Sequence, residues 1–285
     1  MQKDTQIVSI CNLNMSNKTT ISYGYIEKFL SDIRSRGRYA FTLEELMEEF
    51  NLPYLTIKQG LYRLKLKKVI FQVRQGFYTI VPPEYSAQGI IPLYFYLDDL
   101  MKYLGRTYYL SLLSAAALHG AAHQQPMEFF VTIQHPALRS IKNKKVKINF
   151  VLKNNWPEEA IVQHKTNSGY INVSSPEWTA LDLMAYADKF GLNRVVTVIQ
   201  ELAAEIKVSN LFRAAIKYDN ISNLQRLGYI LDNFIDEENK LADSLHKVLE
   251  KKKYNLILLS PVKGKKGEID KKWRVRKNME IESDL

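Results

Sequence analysis

The chain has 285 residues, 46% hydrophobic and 25% charged, with a formal net charge of +10. That length predicts two domains with enough apolar residues for packed cores, and the basic balance favours a polyanionic partner, nucleic acid before a membrane surface. A single cysteine, Cys11, excludes a disulfide framework or a cysteine zinc site and fits a reducing cytoplasm; the N-terminus lacks a signal peptide's apolar core, and charges at Asp98, Asp99, Lys102 and Arg106 break the most apolar stretch, 90–122, so no membrane span is expected.

In chain order, residues 1–20 read as extended or frayed. Tyr25, Ile26, Phe29 and Ile33 recur at helical spacing and predict a first helix. Its end is marked by Arg34, Arg36, Gly37 and Arg38. A short extended piece, 39–41, follows. Thr42 with Glu45 three residues on is a capping box, and Leu43, Leu46, Met47 and Phe50 form the apolar stripe of the helix it opens. Asn51-Leu52-Pro53 stops that helix. A basic helix is expected over 54–68, then two β-rich runs, 69–73 and 77–81, joined through Gln75-Gly76 as a hairpin. This order is that of a winged helix-turn-helix.

Pro82-Pro83 through Gly89 is aperiodic and marks a boundary. It divides the chain into a winged helix-turn-helix DNA-binding domain, 1–83, and a larger mixed α/β domain, 84–285, for an α+β fold overall. In the second part, helices are expected over 92–104 and over the small, apolar run TYYLSLLSAAALHGAA. Strands follow at 128–134, 146–152 and 169–173. Five helices come next, over 176–188, 192–206, 208–218, 221–235 and 237–252. A strand at NLILLSP and another around 273–276 close the chain.

A winged helix presents its second turn-flanking helix to the major groove, where side chains read base edges. Such a helix needs one apolar face to sit on its bundle and long donors on the other. Ile57, Gly60, Leu61 and Leu64 supply the first. Lys58, Gln59, Tyr62 and Arg63 supply the second, because Arg and Lys suit guanine and Gln suits adenine. Lys65, Lys67 and Lys68 lie near the helix end and are candidates for phosphate. Arg74 and Gln75 at the wing tip are candidates for the minor groove or backbone, and Arg34, Arg36 and Arg38 for a phosphate clamp. The helix-to-wing junction, Lys67-Lys68-Val69-Ile70, departs from the usual pattern in having no glycine.

Other constellations are weaker. His119 and His123 stand four apart but lack a third ligand. Ser111, Ser114 and His119 share a segment without a nucleophile elbow. No phosphate-binding loop is present. No catalytic residue, cofactor or metal is therefore expected. Asp270 and Lys272 form a fragment of a nuclease signature, which leaves a winged-helix-targeted nuclease as an alternative. A protein-interaction module that binds no DNA is another. The basic stretch 247–277 reads equally as a second phosphate surface or as a solvated loop and lysine-guarded strand edge.

Three places in the chain together resemble the AbiEi antitoxin family of abortive-infection (type IV) toxin–antitoxin systems. They are the winged helix followed by a longer domain; YYLSLLSAAALHGAAHQQP (108–126) with VSSPEWTALDL (173–183) further on; and Trp273, Val275 and Asn278 before an acidic end. Trp178 departs from the family, which more often has a basic residue there. The resemblance implies a cytoplasmic, non-enzymatic phage-defence regulator. Its winged helix would repress its own operon at inverted repeats of double-stranded DNA, with a homodimer on the operator as one arrangement. Its C-terminal domain would counter a nucleotidyltransferase toxin without a stable complex.

Overall fold

The computed structural model describes residues 24–121, 128–235 and 240–282. The expected extended N-terminus with Cys11, His123, the first residues (237–239) of the last expected helix and the end of the acidic tail lie outside the described residues.

The N-terminal unit follows the expected order. Helix α1 (Tyr25–Ser35) buries Ile26, Leu30 and Ile33. Strand β1 (Ala40–Thr42) runs directly into α2 (Leu43–Phe50). The capping box is formed: Glu45 N donates to Thr42 Oγ1 at 3.1 Å and Thr42 N donates to Glu45 Oε2 at 2.8 Å. Such a cap is worth about 1 kcal/mol, because it satisfies amide groups the helix leaves unpaired. Asn51 ends α2 in the left-handed region, at φ 46°, and Pro53 precedes α3 (Tyr54–Leu66). Strands β2 (Ile70–Arg74) and β3 (Phe77–Ile80) pair as a hairpin and β1 joins β3, giving an antiparallel sheet in the order β1-β3-β2. Helix, strand, two helices about a sharp turn, and a hairpin are the arrangement of a winged helix.

The larger part is built on a mixed sheet. After α4 (Leu97–Tyr103) come β4 (Tyr108–Leu110), α5 (Leu112–Leu118), β5 (Glu128–Ile133), β6 (Ile141–Lys142), β7 (Lys147–Leu152), β8 (Ile161–Thr166) and β9 (Gly169–Ser174). These strands lie in the order β6-β7-β5-β4-β9-β8, with β5 parallel to β7 and β4 parallel to β9. Helices α6 (Pro176–Ala185), α7 (Ala187–Phe190), α8 (Leu192–Ala203), α9 (Val208–Lys217), α10 (Ile221–Ile230) and α11 (Lys240–Leu249) follow. A small sheet, β10 (Ile257–Leu258), β11 (Ile269–Asp270) and β12 (Val275–Arg276), closes the fold.

Several boundaries differ from expectation. The run from Thr107 is not one helix: Tyr108–Leu110 is a strand held between β5 and β9, and the helix begins only after Ser111. A short apolar run buried on all sides reads alike as helix or strand. Leu112 turns the corner at φ 53°, a left-handed conformation that costs a non-glycine residue about 1–2 kcal/mol. The helix expected from residue 92 begins at Leu97, after a single tight turn at Leu93–Phe95. Strands β6, β8 and β11 were not expected; two are only two residues long, too short for periodicity to register.

Three apolar clusters organise the packing. One lies inside the N-terminal unit, around Phe41, Leu46, Ile57, Leu61 and Tyr78. A second lies between the large sheet and the helices from α5 to α11. The third covers the opposite face of the large sheet, with Val131, Ile133, Ile148 and Val173, and is completed by Leu97 and Leu100 of α4. Ala40, Val73 and Phe77 of the wing sheet also belong to this third cluster. Alternation along the wing strands therefore serves two cores: Phe41 and Tyr78 face one way, Ala40 and Phe77 the other. The wing sheet is a shared wall and not a free surface.

Candidate nucleic-acid interface

Helix α3 is held by Ile57, Leu61 and Leu64, all buried. Its opposite face carries Lys58, Gln59, Tyr62 and Arg63, all exposed, with Tyr62 at 59% relative exposure. Lys58 Nζ lies 5.3 Å from the Tyr54 ring centroid. Leu66 is 66% exposed and so gains little burial from the wing.

The junction without glycine has a physical answer. Lys68 itself adopts the left-handed conformation, at φ 58°. Its N–H donates to Lys65 O at 3.0 Å, and Val69 N donates to Leu64 O at 3.0 Å. These bonds close a Schellman motif, normally a glycine site. Here a lysine takes the strain and adds a cation to the end of the helix.

Lys65 is half-buried and its Nζ donates to Gln72 Oε1 at 3.0 Å, fastening α3 to β2. Lys67, Arg74, Gln75 and Arg36 are exposed. Arg38 is engaged elsewhere: its guanidinium lies 2.6 Å from Glu45 and 3.9 Å from Asp99 of α4. Burial pushes the Asp99 carboxyl above its ordinary range, and Arg38 and Lys102 pull it back. The wing tip is braced as well. Tyr103 of α4 donates its hydroxyl to Gln75 O at 3.1 Å. Gly76, at φ 79°, has the same hydroxyl where a Cβ would stand. The face of α3, the wing, and Tyr103, Leu104 and Leu138 of the larger part line a groove of about 1220 Å³.

The other sequence candidates are absorbed by structure. His119 Nε2 lies 2.7 Å from Ser174 O. Ser114 Oγ accepts from Phe130 N and Ser111 Oγ accepts from Thr132 Oγ1, both deep in the core. Asp270 accepts from Trp273 N at 2.9 Å, and Lys272 bonds Asp232 and Asp243. Both therefore brace Trp273 and do not converge on an open site. Trp273 is fully buried, donates to Asp232 at 2.8 Å, and packs so closely on Gly228 that a Cβ there would overlap its ring. Asn278 bonds Ser260 and Gly264. The Trp273, Val275, Asn278 pattern is thus a clasp that closes the tail onto α10. Among the described residues no group of three His, Cys, Asp or Glu side chains is placed to hold a metal ion.

The larger part also holds an ion pair that sequence reasoning missed, with Asp182 buried and Lys153 partly exposed. Lys153 Nζ lies 2.5 Å from Asp182 and sits over the Trp178 ring at 4.6 Å and the Tyr218 ring at 5.3 Å. Tyr218 donates to Leu181 O and to Asp182. Burial raises the Asp182 carboxyl above its ordinary value, while Lys153 and the hydrogen bonds from Lys153 and Tyr218 oppose that rise. Trp178 thus holds a cation that comes from β7 and the turn after it.

Fold and exposed helix together define a winged-helix protein with a larger α+β domain. Residues 109–233 match the family model of the AbiEi antitoxin C-terminal domain, a match that supports a role in a toxin–antitoxin system. The chain is also similar to the crystal structure of the RV2827C protein from Mycobacterium tuberculosis, with a TM-score of 0.63 and 14% identity over 89% of this chain and 91% of that one. At that identity the likeness concerns fold alone. A search of curated protein sequences gave no match.

Proposed function

We propose that the protein is a non-enzymatic, cytoplasmic antitoxin that represses its own operon by binding operator DNA. Residues 1–83 form the DNA-binding domain and 84–285 the antitoxin domain. The observation that carries the DNA reading is the face of α3: a helix seated by three buried aliphatics presents Lys58, Gln59, Tyr62 and Arg63 to solvent beside a hairpin wing. Long donors on a convex helix match the major-groove edges of base pairs. Lys65, Lys67, Arg74, Gln75 and Arg36 flank that face and meet the backbone. Arg38 contributes by bracing the two domains. Inverted operator repeats, each read by one copy, fit a protein that carries one such helix.

The antitoxin part rests on the family match over residues 109–233. The functional partner is a nucleotidyltransferase toxin, encoded next door and countered without a stable complex.

The test is a gel shift of full-length protein on its own promoter. Lys58→Ala and Arg63→Ala should each cost about 1–3 kcal/mol and relax sequence preference. Lys67→Ala should weaken all duplexes alike and lower the salt slope. Unchanged promoter affinity in the Lys58→Ala, Arg63→Ala double variant sinks the reading. Toxin co-expression with the same variant separates the roles, since neutralisation should survive.

A further inference from the structure

We propose that the β6–β7 turn of the larger domain is a second phosphate-contacting element, continuing along the DNA backbone the track begun by the lysines at the end of α3. The proposal rests on the DNA-binding reading above and assigns part of that contact to the antitoxin domain.

The turn, 143–146, is built by its own sequence. Asn143 Oδ1 accepts from Lys145 N at 3.0 Å and from Val146 N at 2.9 Å, so the loop is pre-shaped. Asn143 Nδ2 also donates to Val73 O of β2 at 3.4 Å, which fixes the turn against the wing. Lys145 reaches across to Gln88 O and lies 5.8 Å from the Phe71 ring centroid. Lys65, Lys68 and Lys145 together line a hollow beside Phe71, Gln72 and Gly89. Lys142, Lys144 and Lys145 are exposed.

Two points select a polyanion. First, no carboxylate among the described residues pairs with Lys67, Lys68, Lys142, Lys144 or Lys145, although other lysines of the same domain, such as Lys147 and Lys153, are paired. Like charges gathered from two domains repel one another, and a phosphate backbone reverses that cost by releasing its counterions. Second, the hollow and the groove in front of α3 share a wall, formed by Lys65 and Gln72. A duplex seated on α3 therefore runs on toward the turn.

The experiment measures binding of the full-length Lys144→Ala, Lys145→Ala variant to the native promoter and to an unrelated duplex of equal length, across a salt series. Both side chains are exposed, and an unchanged melting temperature verifies the fold. Affinity should fall on both duplexes by a common factor, roughly five-fold per lysine near physiological salt, and the salt slope should drop by about 0.9 for each phosphate that is no longer neutralised. Unchanged affinity and slope, while Lys67→Ala lowers both, overturns the proposal and leaves the α3 reading intact. If Lys67→Ala and the Lys58→Ala, Arg63→Ala variant are silent too, the DNA reading itself has failed and the proposal falls with it. Intact DNA binding with lost toxin neutralisation assigns the turn to a protein partner and also overturns it.

Discussion

The outer face of α3 and the larger part of the chain are both supplied with cations, and the molecule treats them in opposite ways. Lys58, Arg63, Lys67 and Lys68 stand in solvent. Lys153 is locked between Asp182 and two aromatic rings, Lys272 between Asp232 and Asp243, and Arg226 donates to Leu258 O. Removing Lys153 leaves the buried Asp182 without its counter-charge, a cost of several kcal/mol. An exposed lysine keeps its hydration, costs little to leave bare and is available to a ligand. The number of basic residues in a stretch therefore says little about binding; what matters is whether the fold brings a carboxylate or a ring within reach. The tail illustrates this: Lys272, Arg274 and Arg276 hold Asp232, Tyr254 O and Gly267 O, although the same stretch read as a candidate phosphate surface.

The contrast breaks most sharply at Trp273. Trp273→Ala removes a fully buried indole and its bond to Asp232, and should cost about 3–5 kcal/mol in denaturant unfolding. By contrast, the Lys58→Ala, Arg63→Ala variant should unfold at the wild-type midpoint, since exposed substitutions stay within about 0.5 kcal/mol. A large shift there would mean that α3 is structural after all.

The Lys153–Asp182 pair sharpens the comparison through pH. The folded Asp182 carboxyl titrates above its unfolded value because burial disfavours the anion. Its contribution is fully present below the ordinary carboxylate range and is lost as pH rises through the raised value. Asp182→Asn should flatten that part of the stability–pH profile, measured by thermal melts through the acidic range. An unchanged profile would show that the pair stays ionised throughout.

A modest gain in stability is expected at the junction. Lys68→Gly relieves a left-handed lysine and should stabilise the fold by about 0.5–1 kcal/mol. The same change should lower the salt slope of DNA binding by about 0.9. Opposite signs for stability and affinity would mark Lys68 as a residue kept for its charge.

Much of the N-terminal unit was legible in the sequence because its signals are local. The Thr42–Glu45 box, the stripe Leu43–Leu46 and the turn at Gln75-Gly76 each involve residues a few positions apart. The strand at Tyr108–Leu110 was misread because burial on every side erases the periodicity that separates strand from helix. The ion pair between Lys153 and Asp182 joins residues 29 positions apart and left no local trace.

By itself the sequence determined the order of the winged-helix elements, the apolar and basic faces of α3 and the family likeness of the larger domain. Each depends on side-chain type at a fixed spacing along one element. Only the tertiary structure decided that the wing sheet serves two cores, that Arg38 braces Asp99 and Tyr103 the wing tip, and that Lys145 reaches the edge of the wing. Those outcomes depend on distances between elements remote in the chain, which hydrophobic packing sets and no short pattern encodes.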